Sequence, residues 1–270
     1  MSEAKNPILE PNKTVAVVFY ALIYIFGSSF IITLLAVLYN VHNKLGLDPI
    51  TMLTVISTTD ITQLEEKLQG MYIFCNSYGH FFLYGLLFIG VLFFMRDHLI
   101  NDGTAFIKNY KRLLWLIPVC TIVGYVLSYV IEIVVSLFIH KDSINQSLIE
   151  ILIYNGGAIP MFLAVVVFAP IVEELIYRKA IFEYLKKYHI AISYVVSIIV
   201  FTFPHVLSTF LEPGYTVLEN ILICIPYMLS GFLLCLTYHL CNKNIYASWF
   251  FHLMNNLISF IMIIALRGAA

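Results

Sequence analysis

The sequence predicts an all-α integral membrane protein whose helices cross the bilayer several times. Of its 270 residues, 61% are apolar and only 11% are charged, and the mean hydropathy is +0.90. A water-soluble domain is roughly half apolar and about a quarter charged. One water-soluble core cannot hide this apolar excess, so lipid must cover much of the protein surface.

Several apolar runs reach about 20 residues, the length that a helix needs to span a bilayer. They predict spanning helices near 15–39, 71–95, 113–139, 158–180, 190–208, 218–241 and 245–266. A shorter apolar stretch at 148–154 ends at Asn155-Gly156-Gly157, a sequence typical of a helix break. The polytopic bundle is therefore predicted to have seven spans, and eight is the alternative.

The first apolar run is too long for a cleaved signal peptide. A polar segment at 1–14 precedes it, and the run at 15–39 is about twice the length of a typical signal-peptide core. A first spanning helix is predicted instead. No internal repeat or linker divides the chain, so 1–270 is predicted to be a single membrane domain.

Residues 40–70 form the one sizeable polar insertion. Within it, Asp60 and Gln63 have the spacing of a helix-capping pair. The next apolar residues share one face of the predicted helix: Ile61, Leu64 and Leu68. We expect an interfacial helix that lies on the membrane, and a cover over a substrate entrance is the alternative.

The composition argues against nucleic-acid binding, and the cysteine spacing argues against disulfides or a cysteine-bound metal. The net charge is −1, and no basic patch is long enough to neutralise a run of phosphates. The cysteines lie in or beside apolar runs and lack the short paired spacing of a zinc or redox motif. We predict that they are small apolar fillers between helices: Cys75, Cys120, Cys224, Cys235 and Cys241.

The distribution of basic residues predicts a cytoplasmic N-terminus, because cytoplasmic loops are rich in Lys and Arg. This orientation places eleven basic residues inside: Lys5, Lys13, Arg96, Lys108, Lys111, Arg112, Arg178, Lys179, Lys186, Lys187 and Lys243. Four lie outside: Lys44, Lys67, Lys141 and Arg267. The insertion at 40–70 is then extracytoplasmic.

Charged residues inside a predicted span are costly and need a reason. Glu174 and Arg178 stand four residues apart, so they meet on one helix face and can form an ion pair. Glu173 lies about 100° further around the helix and lacks that partner. One glutamate is thus predicted to be structural and the other to be available for chemistry.

Three segments place ionisable groups at one depth in the membrane. At 1.5 Å per residue, Glu173 and His205 lie about 22–26 Å from the turn at 186–189. Because charges at Lys179, Glu183, Lys186 and Lys187 suggest that this turn protrudes, both groups lie about 10 Å below the cytoplasmic surface. His252 lies nine residues beyond Lys243, which is in the next cytoplasmic turn, and is therefore roughly 13 Å deep. Asn256 follows it on the same helix face.

These groups suffice to hydrolyse an amide. A carboxylate beside an imidazole can take a proton from water and return it to a leaving amine. A second imidazole and a carboxamide can donate hydrogen bonds to an oxyanion. Glu173, His205 and His252 are also a possible ligand set for a divalent metal such as zinc, and the sequence leaves this alternative open although it favours a metal-free mechanism.

The order of these motifs resembles a known protease family. Glu-Glu-x-x-x-Arg at 173–178, Phe-x-x-x-His at 201–205 and His-x-x-x-Asn at 252–256 are similar to the CAAX-protease and bacteriocin-processing (Abi) family, which includes type II CAAX prenyl endopeptidases. The resemblance covers residues 155–265, and no motif position is substituted. Residues before 150 carry no motif of this kind.

The resemblance implies an intramembrane endopeptidase with a cavity facing the cytoplasmic leaflet. It implies that Glu173 and His205 activate water, and that His252 and Asn256 stabilise the tetrahedral intermediate. Glu174 and Arg178 would support the site. We expect the substrate to be a peptide, a leader or a segment of a membrane protein, with membrane lipid as the other partner.

Two other functions compete with this interpretation. A non-catalytic scaffold or bacteriocin-immunity protein would keep the same fold without turnover. A proton-coupled transporter would use Glu132, His80 and Asn155 to extend a polar path, although the chain lacks the repeat that many carriers show. For Glu132 and His80, we favour hydrogen bonds between helices.

Overall fold

A computed structural model describes residues 10–58 and 61–267, and every regular element in them is helical. Seven helices are long and apolar enough to span a membrane: α1 (Pro11–His42), α3 (Glu66–Lys108), α4 (Tyr110–Ser136), α5 (Ile144–Leu185), α6 (Ile190–Leu211), α7 (Val217–Leu240) and α8 (Ile245–Leu266). A short helix, α2 (Pro49–Ser57), lies between α1 and α3. The predicted multi-pass helical bundle is confirmed.

Several helices extend well past the predicted apolar runs. The longest, α3, has 43 residues and continues to Lys108, although its apolar run ends near residue 95. Apolarity marks only the length that lipid can cover, whereas a helix continues as long as its backbone bonds and neighbours support it. Asp102 gives such support, because it accepts two hydrogen bonds of 2.8 Å from Lys179 of α5.

The polar insertion contains a helix, but it lies earlier than the predicted capping pair. Asp48 caps α2 by accepting from the backbone N–H groups of Ile50 and Thr51. The hydrogen bond from the Thr51 hydroxyl is the largest of the effects that lower the pKa of Asp48. Asp60 lies outside the described residues, and Gln63 ends a single 3₁₀ turn.

The helix α5 lies at the centre of the bundle. In its most apolar stretch of 18 residues, 67% of the residues are buried, whereas the corresponding share is 6–39% in the other six spans. The predicted break is present: Asn155 leaves helical geometry, and Gly156 has φ of 105°, a left-handed value that favours glycine. The stretch before the break, Ile144–Leu152, is helical and joins the same span.

Ion pairs bind α5 to its neighbours at the end near the 186–189 turn. Glu183 accepts 2.8 Å and 2.6 Å hydrogen bonds from Lys13 of α1 and Tyr238 of α7. Lys179 is buried and pairs with Asp102 of α3. Lys179 and Glu183 therefore join helices, while Lys187 in the turn itself is exposed.

A glycine in α4 lets α8 pack closely beside it. A Cβ added at Gly124 would lie 2.6 Å from Cζ of Phe251, which is far shorter than a van der Waals contact. Phe251 is buried and precedes His252 in the chain. Small residues at helix contacts allow this close approach in membranes.

We expect Gly124→Val to lower the midpoint of thermal unfolding in detergent. The added methyl groups overlap the Phe251 ring, and overpacking of this kind costs roughly 1–3 kcal/mol. Gly214→Val is the matched control, because a Cβ at Gly214 has no neighbour within 4 Å. Equal thermal midpoints for the two variants would contradict the close contact between α4 and α8.

Candidate active site

A buried ion pair forms the centre of the candidate site. Nη1 of Arg178 lies 2.9 Å from Oε1 of Glu174, and both side chains are fully buried. The same oxygen lies 3.1 Å from Nδ1 of His252. The pair predicted from the four-residue spacing is present, and it also binds α8 to α5.

The guanidinium of Arg178 is enclosed by two further helices. Its Nη2 donates a 3.2 Å hydrogen bond to the carbonyl of Gly231 in α7. Its central carbon lies 4.6 Å from the centroid of the Phe201 ring in α6, within cation–π range. Nη1 approaches Glu174 without the alignment of a hydrogen bond, so its link to that residue is an ion pair by distance alone.

Glu173 is held by different contacts from those of Glu174. Its Oε1 accepts a 3.2 Å hydrogen bond from the hydroxyl of Tyr84, and its Oε2 has no hydrogen-bond partner among the described residues. Oε2 lies 4.0 Å from Nε2 of His252. The two glutamates do differ in their cation partners, but both approach His252, one at each ring nitrogen.

His205 lies beside this cluster and is not bonded to Glu173. Its Nδ1 lies 2.9 Å from the carbonyl of Phe201, one turn earlier in α6, which leaves Nε2 as the free ring nitrogen. The Phe201 ring packs against both imidazoles, with centroid separations of 4.9 Å to His205 and 5.7 Å to His252. In the described chain, no hydrogen bond or ion pair joins His205 to Glu173.

Asn256 satisfies a carbonyl that α5 leaves open. In this π-helical stretch the N–H of Ala169 bonds to the carbonyl of Ala164, five residues back. The next residue, Pro170, has no N–H to donate to Val165. Nδ2 of Asn256 donates to that Val165 carbonyl at 2.8 Å. The missing N–H of Pro170 in α5 thus leaves an acceptor to which the Asn256 carboxamide of α8 donates.

The predicted site residues come from three helices, and the structure brings most of them together. Glu173, Glu174, Arg178 and His252 form one contact group, and His205 joins it through the Phe201 ring. Asn256 contacts α5 one turn further along α8.

The side chains considered as zinc ligands do not converge on one point. In the part of the chain that the structure describes, no three His, Cys, Asp or Glu side chains are placed to hold one metal ion. The conditional ligand set Glu173, His205 and His252 therefore does not fit a metal in this arrangement.

The polar residues considered for a transport path make no continuous chain. Nδ1 of His80 lies 2.7 Å from the carbonyl of Asn76, and Asn155 donates to Ile151. Both hydrogen bonds lie within a single helical stretch. The hydrogen bond that Nδ1 of His80 makes is therefore not the predicted one between helices. Glu132 is exposed on α4.

Tyr84 is the site residue that sequence reasoning missed. It lies in α3, outside every recognised motif, and its contact with Glu173 spans 89 residues of sequence. Phe201 was noted only for its spacing from His205, yet its ring contacts Arg178 and both imidazoles. The one available signal for Tyr84 was a hydroxyl inside an apolar run, and many structural tyrosines share it.

The part of the chain that contains the three motifs is similar to a known protein family. Residues 155–258 match the family model described as Rce1-like, type II CAAX prenyl endopeptidase Rce1-like. No curated protein and no solved structure shows significant similarity to the chain. This is a protease family, and its matched range contains all six predicted site residues. Residues 155–258 therefore form an Rce1-like domain, of the CAAX-protease family, within a multi-pass membrane protein.

Proposed function

We propose that the protein is an intramembrane endopeptidase in which Glu173 and His205 activate a water molecule. The observation that carries the proposal is the contrast between two adjacent buried glutamates. Oε2 of each glutamate lacks a hydrogen-bond partner among the described residues, but Glu174 is ion-paired with Arg178, whereas the free oxygen of Glu173 lies 4.0 Å from Nε2 of His252. An unpaired buried carboxylate oxygen is costly, and such groups mark functional sites in membranes.

The proposed reaction begins with attack of water on the carbonyl carbon of the scissile peptide bond. Glu173 takes the proton of the water as the new C–O bond forms, and Nε2 of His205 orients that water. The carbonyl oxygen becomes an oxyanion, which accepts hydrogen bonds from His252 and Asn256. The C–N bond then breaks, and the proton on Glu173 passes to the leaving amine.

His252 and Asn256 are each held by one contact, and in the proposed reaction each donates a further N–H to the oxyanion. The donor role proposed for His252 needs an N–H on each ring nitrogen, with Nδ1 donating to Glu174 and Nε2 donating to the oxyanion. Asn256 uses one N–H for the Val165 carbonyl, and a carboxamide nitrogen has a second. Both groups are thus oriented before substrate binds, which is the condition for effective electrostatic stabilisation.

The substrate proposed for this site is a peptide, a leader or a segment of a membrane protein. Glu173 and His252 are almost completely buried, whereas His205 and Asn256 are half-buried. An extended segment would therefore approach along the side where His205 and Asn256 lie. From the positive-inside pattern, we propose that this side opens to the cytoplasmic leaflet.

We expect Glu173→Gln to abolish maturation of a specific peptide in cells. Loss of the general base lowers the rate roughly 100-fold or more, and comparative mass spectrometry of membrane and secreted peptides at matched protein levels measures it. Glu132→Gln is the matched control, because it removes a carboxylate from a spanning helix far along the chain from the motifs. Its peptide profile should match that of the wild type.

Two other outcomes would contradict the protease. Identical peptide profiles for wild type and Glu173→Gln, with a cellular phenotype still rescued by the variant, would favour a scaffold. Loss of function in Glu132→Gln as well would favour a proton path through the bundle.

We expect Asn256→Leu to lower both activity and thermal stability, because it leaves the Val165 carbonyl unpaired. Adding Pro170→Ala supplies a backbone N–H one π-turn from that carbonyl. The double variant should therefore regain much of the thermal midpoint but not the activity, as measured by thermal unfolding and by maturation of the same peptide. Recovery of activity in the double variant would show that Asn256 acts only through the backbone of α5.

A further inference from the structure

Tyr84 contacts the proposed general base from outside the Rce1-like domain. It lies on α3, and its hydroxyl donates the 3.2 Å hydrogen bond to Oε1 of Glu173. Among the described residues, no other side chain donates a hydrogen bond to this carboxylate. The motif-free half of the chain therefore completes the surroundings of Glu173.

The charges at the site require such a donor. Glu173 and Glu174 supply two carboxylates, and Arg178, which pairs with Glu174, supplies the one guanidinium. The remaining carboxylate is 3% exposed, so water does little to stabilise it. Hydrogen bonds to a buried charge are stronger than those between neutral groups, so Tyr84 is well placed to offset the cost of burying Glu173.

The hydrogen bond also distinguishes the two oxygens of Glu173. Tyr84 holds Oε1, while Oε2 stays unpaired and lies 4.0 Å from Nε2 of His252. A carboxylate fixed at one oxygen cannot rotate freely, so the other oxygen keeps one orientation. This is the orientation that would present Oε2 to a water molecule near the imidazoles.

Packing around Tyr84 keeps its hydroxyl in place. Tyr84 is 9% exposed, and its ring lies edge-on to Tyr24 of α1, with 6.5 Å between centroids. The next residue, Gly85, lies beside α5, since an added Cβ would lie 3.8 Å from Phe168, an ordinary van der Waals distance. The backbone and the ring of Tyr84 are thus both constrained by neighbouring helices.

We infer that Tyr84 is a positioning residue that orients the Glu173 carboxylate for water activation. This inference rests on the proposed function, because it assigns Glu173 the role of base. It extends the working site to α3, a helix that the family match does not include.

The test compares Tyr84→Phe with Tyr20→Phe in the full-length protein in proteoliposomes. The substrate is the peptide whose maturation depends on Glu173. Tyr84→Phe should lower kcat roughly 10- to 100-fold and leave KM unchanged, because it misplaces the base without touching substrate. Tyr20→Phe removes an equally buried hydrogen bond, 2.7 Å long, to Tyr177 in the same aromatic cluster and should retain wild-type kcat.

A thermal double-mutant cycle examines the same contact without turnover. Tyr84→Phe and Glu173→Ala should give non-additive losses in the midpoint of unfolding, whereas Tyr20→Phe and Glu173→Ala should couple more weakly. Additive losses for Tyr84→Phe and Glu173→Ala would overturn the inference at the level of the hydrogen bond.

The kinetic results separate the two proposals. Wild-type kcat in Tyr84→Phe, or an equal loss in Tyr20→Phe, would overturn the positioning role while Glu173-dependent cleavage persists. If no cleavage depends on Glu173, the proposed function fails. The positioning role then fails with it, and coupling in the thermal cycle would assign Tyr84 a structural contact alone.

Discussion

The buried ion pair between Glu174 and Arg178 is the constraint on which the rest of the site depends. Charges inside a membrane protein are costly and usually pair with one another or with backbone carbonyls. This pair recruits partners from three other helices, namely Gly231 of α7, Phe201 of α6 and His252 of α8. Because Arg178 pairs with Glu174, the adjacent Glu173 is left without a guanidinium partner.

Interruptions of regular helix geometry position the other groups. The π-helical stretch before Pro170 leaves the Val165 carbonyl open, and Asn256 of α8 takes it. The Asn155-Gly156 break lets the central helix change course before it enters the site. Irregular backbone inside a bundle is stable only where neighbouring helices satisfy the freed groups. The same interruptions therefore fix the relative placement of α5 and α8.

Local sequence patterns predicted the parts that depend on local physics. Apolar runs predicted seven spans, the Asn-Gly-Gly sequence predicted the break, and the spacing of Glu174 and Arg178 predicted their pair. The contacts of Tyr84 and Asn256 arise from packing between distant segments, which periodicity does not encode. The π turns were also missed, because an apolar run looks the same for bonds to the fourth and to the fifth residue.

The measurement that tests the central ion pair most directly is thermal unfolding of Glu174→Leu, Arg178→Leu and the double variant. Each single variant leaves a buried charge without its partner, which typically costs about 3–5 kcal/mol. Both should therefore lose far more stability than the double variant, in which apolar groups replace the whole pair. Single variants as stable as the wild type, or a double variant no more stable than the singles, would contradict an ion pair that organises the site.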